Sequence, residues 1–245
     1  GPSLGVTGGH CDNNLLPYEF HSVSEGVADG PWAVREIVRR NIKYGATVIK
    51  FCGTGGVLSK GTKVGVQQYT FEEMQALVDE AHMRGLTVAT HAHGTSGIKT
   101  AIKAGVDSVE HVSLLDEVGI ELALEHGTYF SMDIYVTEYI LSEGEKAGIL
   151  EESLAKERIV GKRQRENFQK AVKAGVKMVF GSDAGVYPHG DNGKQFARMV
   201  RFGMTPMQAI QAATIHPATL LKQQETLGSI SAGKKADIVG VKGNP

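Results

Sequence analysis

The sequence predicts an α/β protein built as a (β/α)8 TIM-type barrel. Three observations carry this reading. A glycine-punctuated unit of helix followed by apolar strand recurs five times, and each of those strands leads to a polar residue. The length of 245 residues suits one barrel of roughly 250 residues.

The first unit runs through residues 41–45, ending on Gly45, then the apolar run 46–49, then Lys50. The second passes Gly85 and residues 86–90 to His91, and the third passes Gly105 and residues 106–110 to His111. The fourth passes Gly127 and residues 128–132 to Asp133. The fifth passes Gly175 and residues 176–181 to Ser182-Asp183. Helices commonly end on a left-handed residue, where glycine has no Cβ to clash. Near-continuous apolar runs suit strands buried on both faces of a parallel sheet. Helix and strand alternating in this way specify βα units. An earlier run at residues 4–7, before Gly8-Gly9-His10, reads as one more strand. The strands then end near residues 8, 50, 91, 111, 133 and 183.

A closed barrel needs eight strands. The expectation is therefore a barrel missing its first strands, with strands three to eight and their helices in residues 1–226. Thr205-Pro206 reads as a helix start, cap then proline, with a break at His216-Pro217. Residues 227–245 are expected to be the returning strand of a small β-sandwich domain.

Composition excludes several classes. Hydrophobic residues are 41%, charged residues 22%, and the net charge is −1, so nothing favours nucleic acid or an anionic membrane as partner. The densest basic cluster (Lys156, Arg158, Lys162, Arg163, Arg165) is interleaved with Glu157 and Glu166 and reads as a solvated helix face. No apolar run approaches the ~20 residues of a membrane helix, and residues 1–10 lack the basic and apolar regions of a signal peptide. Cys11 and Cys52 do not make a disulfide scaffold. They are expected as inert reduced thiols in a cytoplasmic protein, since neither has a paired base. The expected partner is a small-molecule substrate, and a homo-oligomer is compatible with the sequence.

In parallel barrels the active site lies at the C-terminal ends of the strands. Lys50, His91, His111, Asp133 and Asp183 sit five, six, six, six and eight residues past their glycines, so topology alone converges them on one rim. Each has a bland explanation by itself: a surface lysine, a packed histidine, a turn-starting aspartate. Lys50, His91, His111 and Asp183 at equivalent positions are hard to explain separately. Histidine and aspartate are ligands that suit zinc and its neighbours. Lysine is protonated at neutral pH. It becomes a ligand only when its neutral amine adds carbon dioxide, giving a carbamate that can bridge two metals.

The segments Val48-Ile49-Lys50, Thr90-His91-Ala92-His93-Gly94, Ser108-Val109-Glu110-His111 and Gly181-Ser182-Asp183-Ala184-Gly185 resemble the amidohydrolase superfamily. So does the tail Gly228-x-Ile230-x-x-Gly233-Lys234-x-Ala236-Asp237. Residues 53–59 and Gly8-Gly9-His10 resemble its imidazolonepropionase-like branch, which includes Xaa-Pro dipeptidases (prolidases). The resemblance implies two zinc ions bridged by carboxylated Lys50, with His91 and His111 on the second metal and Asp183 on the first. It implies that Asp183 serves as base toward a metal-bridging hydroxide and then as acid toward the leaving amine. His93 is expected to be catalytic, and His10, Tyr135 and His189 to contact substrate. One departure stands out. The superfamily's first-strand His-x-His pair is absent, because His91-Ala92-His93 belongs to a later strand. That pair is expected to precede Gly1.

The expected activity is metal-dependent hydrolysis of an amide bond in a small molecule, an Xaa-Pro dipeptide or an N-acyl amino acid. A cyclic amide such as an imidazolone is the alternative substrate, and a non-catalytic scaffold the alternative class. Retention of all four ligands argues against the scaffold.

Overall fold

The computed structural model describes residues 2–243, so the outer limits of the two expected domains, residues 1 and 245, lie outside it. Five strands, β1 (Val48–Cys52), β2 (Thr87–Ala92), β3 (Ser108–His111), β4 (Tyr129–Ser131) and β5 (Met178–Val179), pair in chain order. Every pairing is parallel. Before, between and after them run α1 (Pro31–Lys43), α2 (Phe71–Met83), α3 (Thr95–Lys103), α4 (Glu117–His126), α5 (Val136–Glu143), α6 (Glu151–Ala174), α7 (Lys194–Arg201), α8 (Pro206–Ala213) and α9 (Ile215–Leu220). This is part of a TIM-type barrel.

The five repeated glycines all take positive φ, from 70° at Gly127 to 94° at Gly105. The left-handed turn at Gly127 ends α4 and brings the Thr128 amide back to donate to the Ala123 carbonyl at 3.1 Å. Helix starts are equally local. Thr70 with Glu73, and Thr205 with Gln208, form reciprocal capping boxes at α2 and α8.

Side chains alternate across the sheet. Ile49, Phe51, Val88, Val109 and Phe130 are at most 1% exposed and form the core with residues of the covering helices, including Val34, Val38, Leu77, Ile98 and Ile102. The other set, including Val48, Lys50, Thr87, Ala89, Ser108, Glu110 and Ser131, lines the concave side around a cavity of about 320 Å³. The polar side chains therefore sit in the barrel interior.

Several expectations change. The strand expected at residues 4–7 is reduced to isolated parallel bridges, Leu4 with Phe51 and Gly5 with Val27. It still docks beside β1, where Leu4 N donates to Lys50 O and Cys52 N to Leu4 O, both at 2.8 Å. β5 is only two residues long, because Phe180 N turns to the Ala212 carbonyl at 2.7 Å. The break expected at His216-Pro217 falls at Thr214, and α9 contains both residues. His216 Nδ1 lies 2.9 Å from the Met178 carbonyl and ties α9 to β5. Residues 228–243 form no strand, and Ile230 and Val239 are 86% and 87% exposed. Among the described residues, no helix is long and apolar enough to cross a membrane.

The loop after β1 is clamped against the start of α3. A Cβ on Gly94 would overlap the Gly65 carbonyl. Because the obstacle is backbone, Gly94→Ala is expected to destabilise the protein by about 1–3 kcal/mol, read as a lowered Tm.

Candidate metal centre

His91 lies within β2, with its Nε2 buried and without a hydrogen-bond partner. His93 follows the strand. Its amide donates to Thr54 Oγ1 at 3.0 Å, and its Nδ1 meets Ser113 Oγ at 2.8 Å. His111 ends β3, with Nδ1 3.0 Å from both carboxylate oxygens of Asp133. The His93 and His111 rings stack 4.8 Å apart, and the His91 ring meets each of them edge-on.

Two groups result, each with donor atoms within 4.8 Å of one another: His91, His93 and His111, then His111, Asp133 and Asp183. They share His111, and one cavity of about 310 Å³ is lined by all five residues together with Lys50 and His10. Val57, Val136, Ile140 and Val186 supply apolar wall. Lys50, expected just past its strand, sits inside β1, with Phe51 and Cys52 continuing the strand beyond it.

The backbone here is strained. His111 (φ 70°), Val112 (φ 51°) and Asp183 (φ 52°) are three of the five non-glycine residues with positive φ among the described residues. For a β-branched valine this is rare. Val112 N is held by the Ala92 and Glu110 carbonyls at 3.1 and 2.9 Å. Such strain gathers where a structure must aim particular side chains.

The charges sort by environment. Burial, then the neighbouring His111 charge, hold His91 and His93 well below the ordinary imidazole value. Burial also brings His10 to about 4. Burial alone would lower His111, but the Asp133 carboxylate outweighs it and raises His111. Burial likewise opposes ionisation of Asp133, yet His111 holds it below the usual carboxylate value. Asp183 is exposed at the cavity mouth. Desolvation of its carboxyl, then the Asp133 charge, push it up.

A divalent metal fits this donor set. Neutral imidazoles and clustered carboxylates are what such ions need. The orphaned His91 Nε2 lacks any protein partner, and His111 is oriented through its other nitrogen by a carboxylate, a pattern common behind metal ligands.

Of the remaining expected residues, His10 lines the cavity, its ring stacked on His91 at 4.1 Å. A Cβ on Gly56 would occupy the space of the His10 ring. Tyr135 is buried in a satellite core against Tyr187, and His189 is exposed. Neither is among the residues lining the cavity.

Two expectations are corrected. Cys11 and Cys52 are not free thiols but a disulfide, with Cα atoms 6.1 Å apart. Docking of Leu4 on β1 carries the following loop alongside Cys52. The charged run on α6 is not simply a solvated face. Lys156 and Glu157 are 9% and 4% exposed, and with Gln164 and Asn167 they face inward. Lys156 Nζ donates to the Ser59 carbonyl at 2.7 Å, and Asn167 Nδ2 to the Ser113 carbonyl at 2.9 Å. Gln164 Nε2 donates to the His111 carbonyl at 3.1 Å and to Asp133 Oδ1 at 2.9 Å. The spacing 157, 164, 167 puts these polar residues on one helical face. That spacing is the sequence signal that a count of charges obscured. Asp133 was equally visible, since it shares the glycine offset of the two histidines.

The fold and donor set together define part of a (β/α) barrel with a metal-type site at the C-terminal rim. The Amidohydrolase family profile matches residues 4–245, and the chain belongs to that family. It is 42% identical to a Xaa-Pro dipeptidase solved with methionine bound in its active site (TM-score 0.94, 99% of this chain and 61% of that one). It is 36% identical to an ochratoxinase of Aspergillus niger over 100% of this chain and 54% of the relative. It is 28% identical to an imidazolonepropionase of Shewanella sp. (strain ANA-3) over 69% of this chain and 38% of the relative. The chain thus spans little more than half the length of the first two.

Proposed function

We propose that this chain carries the site of a metal-dependent hydrolase that cleaves an amide bond in a small molecule, an Xaa-Pro dipeptide or an N-acyl amino acid. The observation that carries the reading is the convergence of His91, His93, His111, Asp133, Asp183 and Lys50 on one small cavity. Its volume of about 310 Å³ is at the low end for ligand sites and suits a small molecule.

In this reading His91, His111, Asp183 and a carboxylated Lys50 would hold two zinc ions. When bound, the metal supplies Lewis-acid polarisation of the scissile carbonyl and lowers the pKa of water toward ~7. Asp183 accepts a proton at its carboxylate and returns it to the leaving amine, a task suited to a carboxyl raised above its ordinary value. His93, neutral and fixed by Ser113, donates a hydrogen bond to the substrate carbonyl. His10 faces the substrate from the opposing loop, with Tyr135 and His189 as outer substrate contacts. The apolar wall of Val57, Val136, Ile140 and Val186 limits water around the reacting bond. Residues 228–243 form no strand here, and we assign residues 227–245 a strand only on pairing within a second, small sandwich domain. A cytoplasmic location loses the support of free thiols, since the cysteines are paired.

The dipeptidase relative supports the peptide reading, and the imidazolonepropionase relative supports a cyclic amide as second reading. A panel of Xaa-Pro dipeptides, N-acyl amino acids and imidazolonepropionate, offered to the full-length protein with added zinc, separates them. Failure of every dipeptide and N-acyl amino acid would sink the first reading, and turnover of imidazolonepropionate alone would favour the second. Lys50→Ala is expected to lower zinc content measured by elemental analysis, together with activity. Unchanged zinc would remove Lys50 from the ligand set.

A further inference from the structure

Five buried side-chain atoms among the described residues lack a hydrogen-bond partner: His10 Nδ1, His91 Nε2, Glu157 Oε1, Arg165 Nε and Tyr187 Oη. His10, His91 and Glu157 line the same cavity. The first two have roles in the reading above. Glu157 has none.

Glu157 is only 4% exposed, and its Oε1 has no hydrogen-bond partner. The neighbouring polar side chains of α6 are satisfied: Lys156 by Ser59 and Glu152, Gln164 by His111 and Asp133, Asn167 by Ser113. Lys156, the adjacent cation, is thereby turned to the outer loop. The position is also cleared by the backbone. A Cβ on Gly161, one turn along, would overlap Thr137 Cγ2 and come within 2.8 Å of Glu157 Oε1. Burial raises the Glu157 carboxyl to about 7, against a lowering influence from the Thr137 hydroxyl. The His111 and Arg165 charges act on Glu157 without outweighing its burial, and a hydrogen-bonding cationic group entering this cavity would satisfy the free oxygen.

We propose that Glu157 binds the free α-amino group of the substrate, and so selects dipeptides over N-acyl amino acids. This rests on the amide-hydrolysis reading above. A primary ammonium is a compact donor with three N–H groups, matched to a carboxylate with a free oxygen in a small cavity. Asp133 and Asp183 line the same cavity and add to its attraction for a cation.

The test compares alanyl-proline with propanoyl-proline, which differ only by the amino group. Both are assayed with the zinc-loaded full-length protein and its Glu157→Gln variant. Wild type is expected to favour alanyl-proline. Glu157→Gln is expected to lower the ratio of the two kcat/KM values about 10- to 100-fold, mainly through the KM of the dipeptide. An unchanged ratio would overturn the proposal, including the case where both activities fall together because the fold is damaged. Turnover of propanoyl-proline but not alanyl-proline by wild type would overturn it and leave amide hydrolysis standing. Turnover of neither would overturn the proposal, and the wider panel above then decides whether amide hydrolysis stands. Glu157→Asp, which keeps the charge, is expected to retain part of the preference. Loss of the preference equal to that in Glu157→Gln would overturn the charge-based account.

Discussion

Asp183→Asn is expected to lower kcat by about 10²- to 10⁴-fold, the range spanned by a positioned acid or base, while the folded protein stays intact. The backbone explains why stability survives. Asp183 sits at φ 52°, and asparagine tolerates that left-handed conformation better than most residues. Electrostatics point the same way. The Asp133 charge disfavours ionisation of Asp183, so a neutral amide relieves like-charge repulsion. The outcome to look for is a Tm equal to or above wild type with activity nearly lost. Zinc content measured alongside separates two roles. Loss of activity with zinc retained marks a proton carrier, whereas parallel loss of zinc marks a ligand. Activity within a few-fold of wild type would remove Asp183 from the mechanism.

Asp133→Asn is expected to act on His111. The change removes the carboxylate that orients a candidate ligand, for which metal affinity typically falls 10- to 100-fold. In the metal-free protein it also leaves a buried imidazole without its counter-charge, at a cost of about 3 kcal/mol. Their side chains are 15% and 5% exposed, so solvent screens the pair little. The pH dependence follows from the two shifts. His111 is raised above 6.5, so its contribution is complete below 6.5 and fades as pH rises through the raised value. Asp133 is lowered below 3.8, so its contribution is complete above 3.8 and fades as pH falls through the lowered value. The stability gap between wild type and Asp133→Asn should therefore be wide near pH 6 and narrow in alkaline solution. Urea unfolding of the metal-free proteins at both pH values measures it, and a constant gap would exclude charge pairing as its cause.

The features legible in the sequence were those set by local physics. Gly45, Gly85, Gly105, Gly127 and Gly175 announce helix ends because only a left-handed residue turns the chain there, and all five do so. His91, His111, Asp133 and Asp183 were found by counting from those glycines. What escaped depended on tertiary packing. Glu157 reads as one charge among many until α6 is laid across the strand ends. Pairing of Cys11 with Cys52 depends on Leu4 docking beside Phe51, a contact between segments 47 residues apart in the chain. The full length of β5 was overestimated because Phe180 bonds to α8 rather than along the sheet.

The Cys11–Cys52 bond spans 41 residues and encloses all of α1 and β1, closing on the last residue of β1. A cross-link closing a loop of that size restricts the unfolded chain by about 4 kcal/mol in the loop-entropy account. The same bond fastens the peptide next to His10 to the strand that carries Lys50. Oxidised and reduced samples are then expected to differ in how firmly the wall beside the histidines is held, with the Leu4 and His10 backbone bonds left to hold it after reduction. Thiol in the buffer is therefore a variable to hold fixed when the site is measured.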